Sequence, residues 1–437
     1  MPAIDFKKIG EGGGIFTRPA IHENVVYFGA CDKYFYAVDT ENGNEVWSVL
    51  TDGIIMSSPA LLDGILYFGC FDNNLYAVSV EEKRVLWKVR TDGIIISSPF
   101  VRDKVIYFGS CDSYFYAVSA ETRQILWKFK TNNEIFSDPV IDDNRIYFGS
   151  TDNYMYCLGL DGSLIWKFRA DGEILLGAPC ISDNAVYAAD SMGWLYALDK
   201  NTGAPLWKFH SSEEAYNCIS CAEDTVYFGS RDRHLYALDK KSGGMKWKFR
   251  ANMGMAISPL ITENRIYVGS DGIYALDKEG SKVWSYRSSE TVDAFSFSCT
   301  PVLYGGNLYF TSFDGHLRCL DMDGSIVWEF RTKAPRGVTV SLGAIKPMSW
   351  WDEGMFLIFE DSVEIAPPEA PNVLEKYGVG DIFAVEAQVE NPYTDVVGIG
   401  AYKSLQDMKY VESPANYSEK DRKKKKDTEN IEKLFRL

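Results

Sequence analysis

Eight tryptophans recur along the chain at an almost constant interval. Trp47, Trp87, Trp127, Trp166, Trp207, Trp247, Trp284 and Trp328 are separated by 40, 40, 39, 41, 40, 37 and 44 residues. Two further signals keep step with them. Tyr27-Phe28-Gly29 returns at Tyr67, Tyr107, Tyr147, Tyr227 and Tyr267 (the last as Tyr-Val-Gly), and Tyr36-Ala37-Val38 returns at Tyr76, Tyr116, Tyr196, Tyr236 and Tyr274 (the last three as Tyr-Ala-Leu). A unit this short cannot bury both of its faces alone, so it must stack against copies of itself.

The unit is clearest between Val105 and Phe129. Ile106 to Gly109 is a β-branched and aromatic run that ends in a turn signal at Ser110 to Ser113. Tyr114 to Val118 forms a second strand, Glu121 to Arg123 a polar connection, and Ile125 to Phe129 a third strand carrying Trp127. Upstream, Ile94 to Val101 is expected to supply a fourth, innermost strand. The strands read as continuous apolar runs more than as clean alternation, as expected when both faces are buried. Eight such units of four strands predict an all-β fold, an eight-bladed β-propeller of antiparallel blades over residues 13–332 behind a short lead-in at 1–12. The first unit has its own inner strand (Ile15 to Ile21), as has the last (Ser298 to Leu303), so the ring is expected to close without borrowing a strand.

Ala197-Leu198-Asp199-Lys200-Asn201-Thr202-Gly203-Ala204-Pro205-Leu206-Trp207 resembles the tryptophan-docking motif of the pyrroloquinoline-quinone (PQQ) repeat family, with close variants at Ala37 to Trp47 and Ala237 to Trp247. The resemblance implies the eight-bladed propeller shared by the quinoprotein alcohol dehydrogenases and the outer-membrane assembly lipoprotein BamB. For the quinoproteins it also implies a vicinal disulfide, a Ca²⁺ held by Glu, Asn and Asp, and a catalytic Asp. No Cys-Cys pair occurs in this chain, and no calcium-binding set can be placed. BamB would imply a signal peptide and a lipidated cysteine, neither of which is present. The family thus carries fold more than function.

Composition narrows the classes further. A net charge of −16 argues against a nucleic-acid footprint over the body of the protein. No segment approaches the roughly 18 apolar residues of a spanning helix, and the N-terminal residues lack a signal-peptide core. Nine cysteines, an odd number, fit a reducing cytoplasm better than a disulfide framework. Most stand where other units place small residues, so they are read as small buried hydrophobes. Cys218 and Cys221 alone make a weak zinc signal.

An aspartate marks the turn between the second and third strands of seven units: Asp32, Asp72, Asp112, Asp152, Asp232, Asp271 and Asp314. Its expected task is to accept backbone hydrogen bonds in a tight turn rather than to bind a cation. Unit five departs, with Met192 at that position and Ala188-Ala189 in place of Phe-Gly. Two residues further on, Tyr34, Asn74, Tyr114, Tyr154, Trp194, His234 and His316 would line one rim. Tyr34, Tyr114, Tyr154, Trp194, His234 and His316, with Arg231 and Arg233 beside them, are the candidate contacts for a protein partner or small ligand. The competing expectation is that they pack over neighbouring loops.

Beyond Thr332 the period stops. Residues 333–415 still read as strands, notably Phe383, Val385, Ala387 and Val389 in alternation, and predict a β-rich, immunoglobulin-like extension in which Trp350 and Trp351 are candidate docking residues. The tail, 416–437, is basic and partly helical: from Ser418 on it holds eight Lys or Arg against five Asp or Glu. Ile431, Leu434 and Phe435 fall on one helical face and are candidate contacts. Nucleic acid is expected, if anywhere, only at this tail.

Taken together, the chain reads as a non-catalytic scaffold for protein–protein interaction in a cytoplasmic complex, with no cofactor or metal expected. The alternatives are a PQQ- and Ca²⁺-dependent oxidoreductase and a small-ligand-sensing propeller.

Overall fold

The computed structural model describes residues 14–215, 219–255, 257–287 and 299–334. All belong to the first of two compact units, Met1–Ile365 and Ala366–Leu437. The extension, the tail, Trp350, Trp351, Ile431, Leu434 and Phe435 lie outside the described residues.

Among the described residues, thirty-two strands form eight separate four-stranded sheets, each paired strictly in chain order. Every pairing is antiparallel. In the third blade Phe100–Arg102 is the inner strand, followed outward by Val105–Gly109, Tyr114–Ser119 and Ile125–Lys130. The first blade uses its own Ala20–His22 and the eighth its own Val302–Tyr304, so no strand is exchanged across the join.

The inner strands are shorter than expected. Ile94 to Ser98 and Ile15 to Arg18 lie outside the strands, because a proline precedes each inner strand and has no N–H to start the ladder earlier. The exception supports the rule. Ile219 stands where the other blades have Pro19, Pro59, Pro99, Pro139, Pro179, Pro259 and Pro301, and there the inner strand gains a residue, with Ile219 pairing Phe228.

The freed segments stitch the ring together. Ser57 Oγ donates to Ser97 O (3.1 Å), Ser97 Oγ to Ser137 O (2.9 Å) and Ser137 Oγ to Gly177 O (3.0 Å), each one blade onward. At the join Thr311 Oγ1 donates to Thr17 O at 2.8 Å. These hydroxyls satisfy carbonyls that no ladder reaches.

The core lies between blades. Phe35 stacks on Phe68 of the next blade at 4.3 Å, and Phe115 on Phe148 at 4.2 Å. The glycine of each Tyr-Phe-Gly run is a fitting device: a Cβ on Gly109 would sit 2.2 Å from Ile135 Cγ2, and one on Gly149 2.0 Å from Ile174 Cγ2. Blade five inverts this exchange. Ala189 replaces the glycine, and the incoming residue shrinks to Ala215 within the same buried cluster. Its departure from the repeat is a volume swap in the core.

Outside the core, the tryptophans latch neighbouring blades. Trp166 Nε1 donates to Lys200 O and Trp207 Nε1 to Lys240 O, both at 3.0 Å. Trp328 closes the ring on Thr40 O at 2.9 Å. Every outer strand also carries a β-bulge opposite the residue after the Tyr-Ala pair, as at Ala117/Val118, which leaves the residue before each tryptophan outside the register. Leu126, Ile165 and Leu206 are exposed for that reason.

Candidate interaction surface

The turn aspartates are structural. Asp112 Oδ1 accepts the Tyr114 N–H at 2.9 Å, and its Oδ2 accepts the Tyr116 hydroxyl at 2.6 Å. Asp152 with Tyr156 and Asp232 with Tyr236 repeat the pattern, both at 2.6 Å. Burial and the carboxylate together push the Tyr116, Tyr156 and Tyr236 hydroxyls above their ordinary range. In blade five Asp190 takes over from the missing aspartate and accepts from Tyr196 at 2.8 Å. The eighth blade substitutes Arg318 for the tyrosine and pairs it with Asp314.

The same turns set the rim residues at the start of the third strands, and those of blades three to five are half-buried and capped by their own blade's outer strand. Lys128 and Lys130 lie over Tyr114 at 4.2 and 4.3 Å, and Lys167 over Tyr154 at 4.5 Å. Trp194 has Lys208 at 3.9 Å and the His210 ring at 4.3 Å. Lys333 covers Tyr34 at 4.6 Å. These are separate cation–π pairs at the rim positions of blades one, three, four and five, with the aromatic faces already occupied.

The remaining candidates divide. Arg231 pairs with Glu214 at 2.6 Å, whereas Arg233 is exposed, in the left-handed region at φ 73°. His234 Nδ1 lies 3.3 Å from Asp232 Oδ1. His316 is only 6 % exposed, with Nδ1 3.1 Å from Asp314, so it is part of the interior and presents little contact surface.

Sequence reasoning missed an apolar cluster shared between blades. Side chains of the connections into blades two to five converge there: Ile96, Phe136 and Leu175 are buried together, with Met56, Phe71, Ile94 and Cys111 packed against them. Ile94 and Ile96 fall in the stretch expected as an inner strand, and the even spacing of Ile96, Phe136 and Leu175 carries no sign that they meet. Two acids flank them. Burial, then the neighbouring Glu134, pushes Glu173 up to about 7.

Asp138, in the adjoining connection, is pushed up to about 6 by burial, partly offset by hydrogen bonds from Ser98, whose N–H donates at 2.6 Å. A raised acid favours the native state in its protonated form, so that stability is complete below about pH 4 and is lost as pH rises through 6. Asp138→Asn keeps the acceptor oxygen and removes the titration. The variant is expected to be more stable than the parent by about 2 kcal/mol at pH 7, with no difference at pH 4, in urea unfolding across that range.

One cysteine expectation is corrected. Cys180 and Cys221, on the inner strands of blades five and six, are joined as a disulfide across 41 residues. The tertiary fold brings them together, since nothing in their spacing marks a pair. Cys31, Cys70, Cys157, Cys299 and Cys319 are buried thiols as expected, and Cys218 lies outside the described residues. A loop of that length predicts that reduction costs about 4 kcal/mol of stability. Denaturant titrations with and without reductant, alongside a thiol count on the unfolded, unreduced chain, measure it.

Fold and rim define an eight-bladed β-propeller whose blades are latched by tryptophan. Residues 14–216 match the family model described as beta-alanine-activating enzyme, beta-propeller, and residues 191–348 match outer membrane protein assembly factor BamB. Together with the fold, these matches support a β-propeller of the PQQ-repeat, BamB-like type. Among solved structures it is similar to the computationally designed protein Ika8, with TM-score 0.62 and 16% identity over 71% of this chain and 98% of that one. It is likewise similar to BamB from Moraxella catarrhalis, with TM-score 0.59 and 16% identity over 69% of this chain and 95% of that one. At that identity both report the fold alone. No curated protein matches the chain.

The quinone implied by part of the family is a tricarboxylate, and the apolar cluster between blades is a poor match for it: Ile96, Phe136 and Leu175 are apolar and buried together, and Glu134 and Glu173 in the same connections add negative charge. Among the described residues no three His, Cys, Asp or Glu side chains are grouped to hold a metal ion, and no helix is long and apolar enough to cross a membrane.

Proposed function

We propose that the chain is a non-catalytic scaffold whose propeller holds protein partners in a complex, without a cofactor. The observation that carries this reading is the rim itself. Tyr114, Tyr154 and Trp194 present partly exposed, lysine-capped rings at equal intervals, and their chemistry suits contact with a partner surface more than bond-making. The description of BamB as an assembly factor points the same way for that relative.

The test uses the full chain as bait in native lysate, with a triple variant Tyr114→Ala, Tyr154→Ala, Trp194→Ala beside it. A partner retained in stoichiometric amount by the parent, and at least tenfold weaker on the folded variant, is the expected result. Absence of any stoichiometric partner, or alcohol oxidation after reconstitution with PQQ and Ca²⁺, overturns the reading.

A further inference from the structure

The outer strands of blades two to six share a property that the repeat does not require. Arg84–Arg90, Ile125–Lys130, Leu164–Arg169, Pro205–His210 and Met245–Arg250 together contain eleven Lys or Arg and no Asp or Glu. The chain as a whole has 61 acidic residues against 45 basic ones. The outer strands of blades one, seven and eight do not share the bias: Glu45–Leu50 and Ile326–Arg331 each carry a glutamate, and Lys282–Tyr286 has a single lysine. The basic band is thus a continuous arc of five neighbouring blades on an acidic protein.

Register places the charges alike in each blade. Lys88, Lys128, Lys167, Lys208 and Lys248 stand opposite the turn-capping tyrosines. Two residues further on, Arg90, Lys130, Arg169, His210 and Arg250 stand opposite the first residue of the third strand. Residues two apart share a strand face, so four of the five edges carry two tiers of positive charge on one side, and blade five carries Lys208 with His210 beside it. Four of the eleven have carboxylate partners, in the pairs Arg84–Glu82, Lys88–Asp52, Lys208–Asp171 and Lys246–Asp224. Among the described residues, Arg90, Arg169 and Arg250 meet no carboxylate, and Lys128, Lys167 and Lys248 rest over tyrosine rings with their charge uncompensated.

Each of these strands is also the open edge of its sheet, with backbone groups that no strand among the described residues pairs. Next to the tryptophan the same edges expose apolar side chains, including Leu126, Leu164, Ile165, Leu206 and Met245. Charge on an edge strand ordinarily serves to discourage edge-to-edge association, and either sign would do. A single sign does something more selective: it rejects a copy of the same edge and favours a strand of opposite charge.

We infer that the outer edges of blades two to six are docking positions for an acidic, extended polypeptide segment of a partner protein. The segment adds as a further strand, with carboxylates over the two basic tiers and apolar residues against the exposed side chains beside the bulge. A phosphodiester chain would meet the positive charge but would leave the strand edge and the apolar residues unused. Repetition over five blades makes the surface multivalent, so short acidic segments in tandem gain by effective concentration. The inference rests on the scaffold reading and names the chemistry of its partner.

The probe is a fluorescein-labelled eight-residue peptide of alternating glutamate and valine, titrated into the full chain and followed by anisotropy. Saturable binding is expected, at least tenfold weaker in 300 mM than in 50 mM salt. It should fall at least tenfold further in the variant Lys128→Glu, Lys167→Glu, Arg169→Glu, whose melting curve is recorded alongside. Should that variant fail to fold, Lys128→Gln, Lys167→Gln, Arg169→Gln serves in its place.

Three results of the peptide titration overturn the proposal: no saturable binding, equal binding of the same peptide N-methylated at alternate amides so that it cannot pair as a strand, and tighter binding of octathymidylate. A stoichiometric lysate partner that binds the charge-reversed protein unchanged would overturn it while leaving the scaffold reading standing.

Discussion

Arg318→Ala is expected to destabilise the propeller by about 3–5 kcal/mol, whereas Arg318→Tyr should stay within about 1 kcal/mol of the parent. Arg318 is 1 % exposed. It donates from Nη2 to Asp314 Oδ2 at 2.7 Å and from Nη1 to Asp314 Oδ1 at 3.0 Å, and its Nε reaches Glu329 at 3.3 Å. Burial works to raise the Asp314 carboxyl, but hydrogen bonds from His316 and Arg318 and the charge of Arg318 overcome it and hold the group far below the usual carboxylate range. Alanine would leave that carboxylate enclosed without its cation.

Tyrosine would restore the pair found in the other blades, where a hydroxyl meets the turn aspartate. A depressed acid stabilises the native state above its ordinary value, near pH 4, and that contribution is lost as pH falls further. Urea midpoints at pH 7 and pH 3 therefore test the account twice. The cost of Arg318→Ala should be large at pH 7 and shrink at pH 3. An Arg318→Tyr variant as unstable as the alanine variant would show that packing of the long side chain, rather than the carboxylate's need for a partner, sets the cost.

Trp166→Ala is expected to cost about 3–5 kcal/mol, the range for deleting a large aromatic from a packed site. The ring lies under Gly203 of the next blade, whose φ is +71° and whose added Cβ would sit 2.6 Å from the indole. Gly203→Ala is therefore expected to destabilise too, by about 2 kcal/mol, from the left-handed backbone and the lost stacking distance. Both changes act on one contact, so the double variant should fall short of the sum of the two. Full additivity in chemical denaturation would mean that the tryptophan and the turn contribute independently, and the latch between blades would be lost as an explanation.

Much of the ring was legible because its determinants are local. The aromatic run ending in glycine, the turn aspartate and the tryptophan each report a backbone need within a few residues, so eight repetitions led directly to eight blades. The aspartates were likewise read correctly as turn residues, because Asp112 and Tyr114 are two positions apart and their hydrogen bond is a local one. The inner strands were overextended because Ile94 to Ser98 is apolar and β-branched. Nothing in that composition says that proline delays the ladder until Phe100 and that the serines donate to the next blade.

For the candidate surface, spacing placed Tyr114, Tyr154 and Trp194 on one rim, but it was the register that put lysines over their rings. It was burial that withdrew His316 from that rim.

The amino-acid sequence by itself determined the number of blades, the four strands in each and the turns between the second and third, since each depends on neighbours within one repeat. Only the tertiary structure decided what lies between repeats. The pairing of Cys180 with Cys221, the meeting of Ile96, Phe136 and Leu175, and the exchange of volume between Ala189 and Ala215 all join residues at least 26 positions apart. Such contacts exist because closing the ring brings the faces of successive blades together, and no local propensity encodes which side chains then touch.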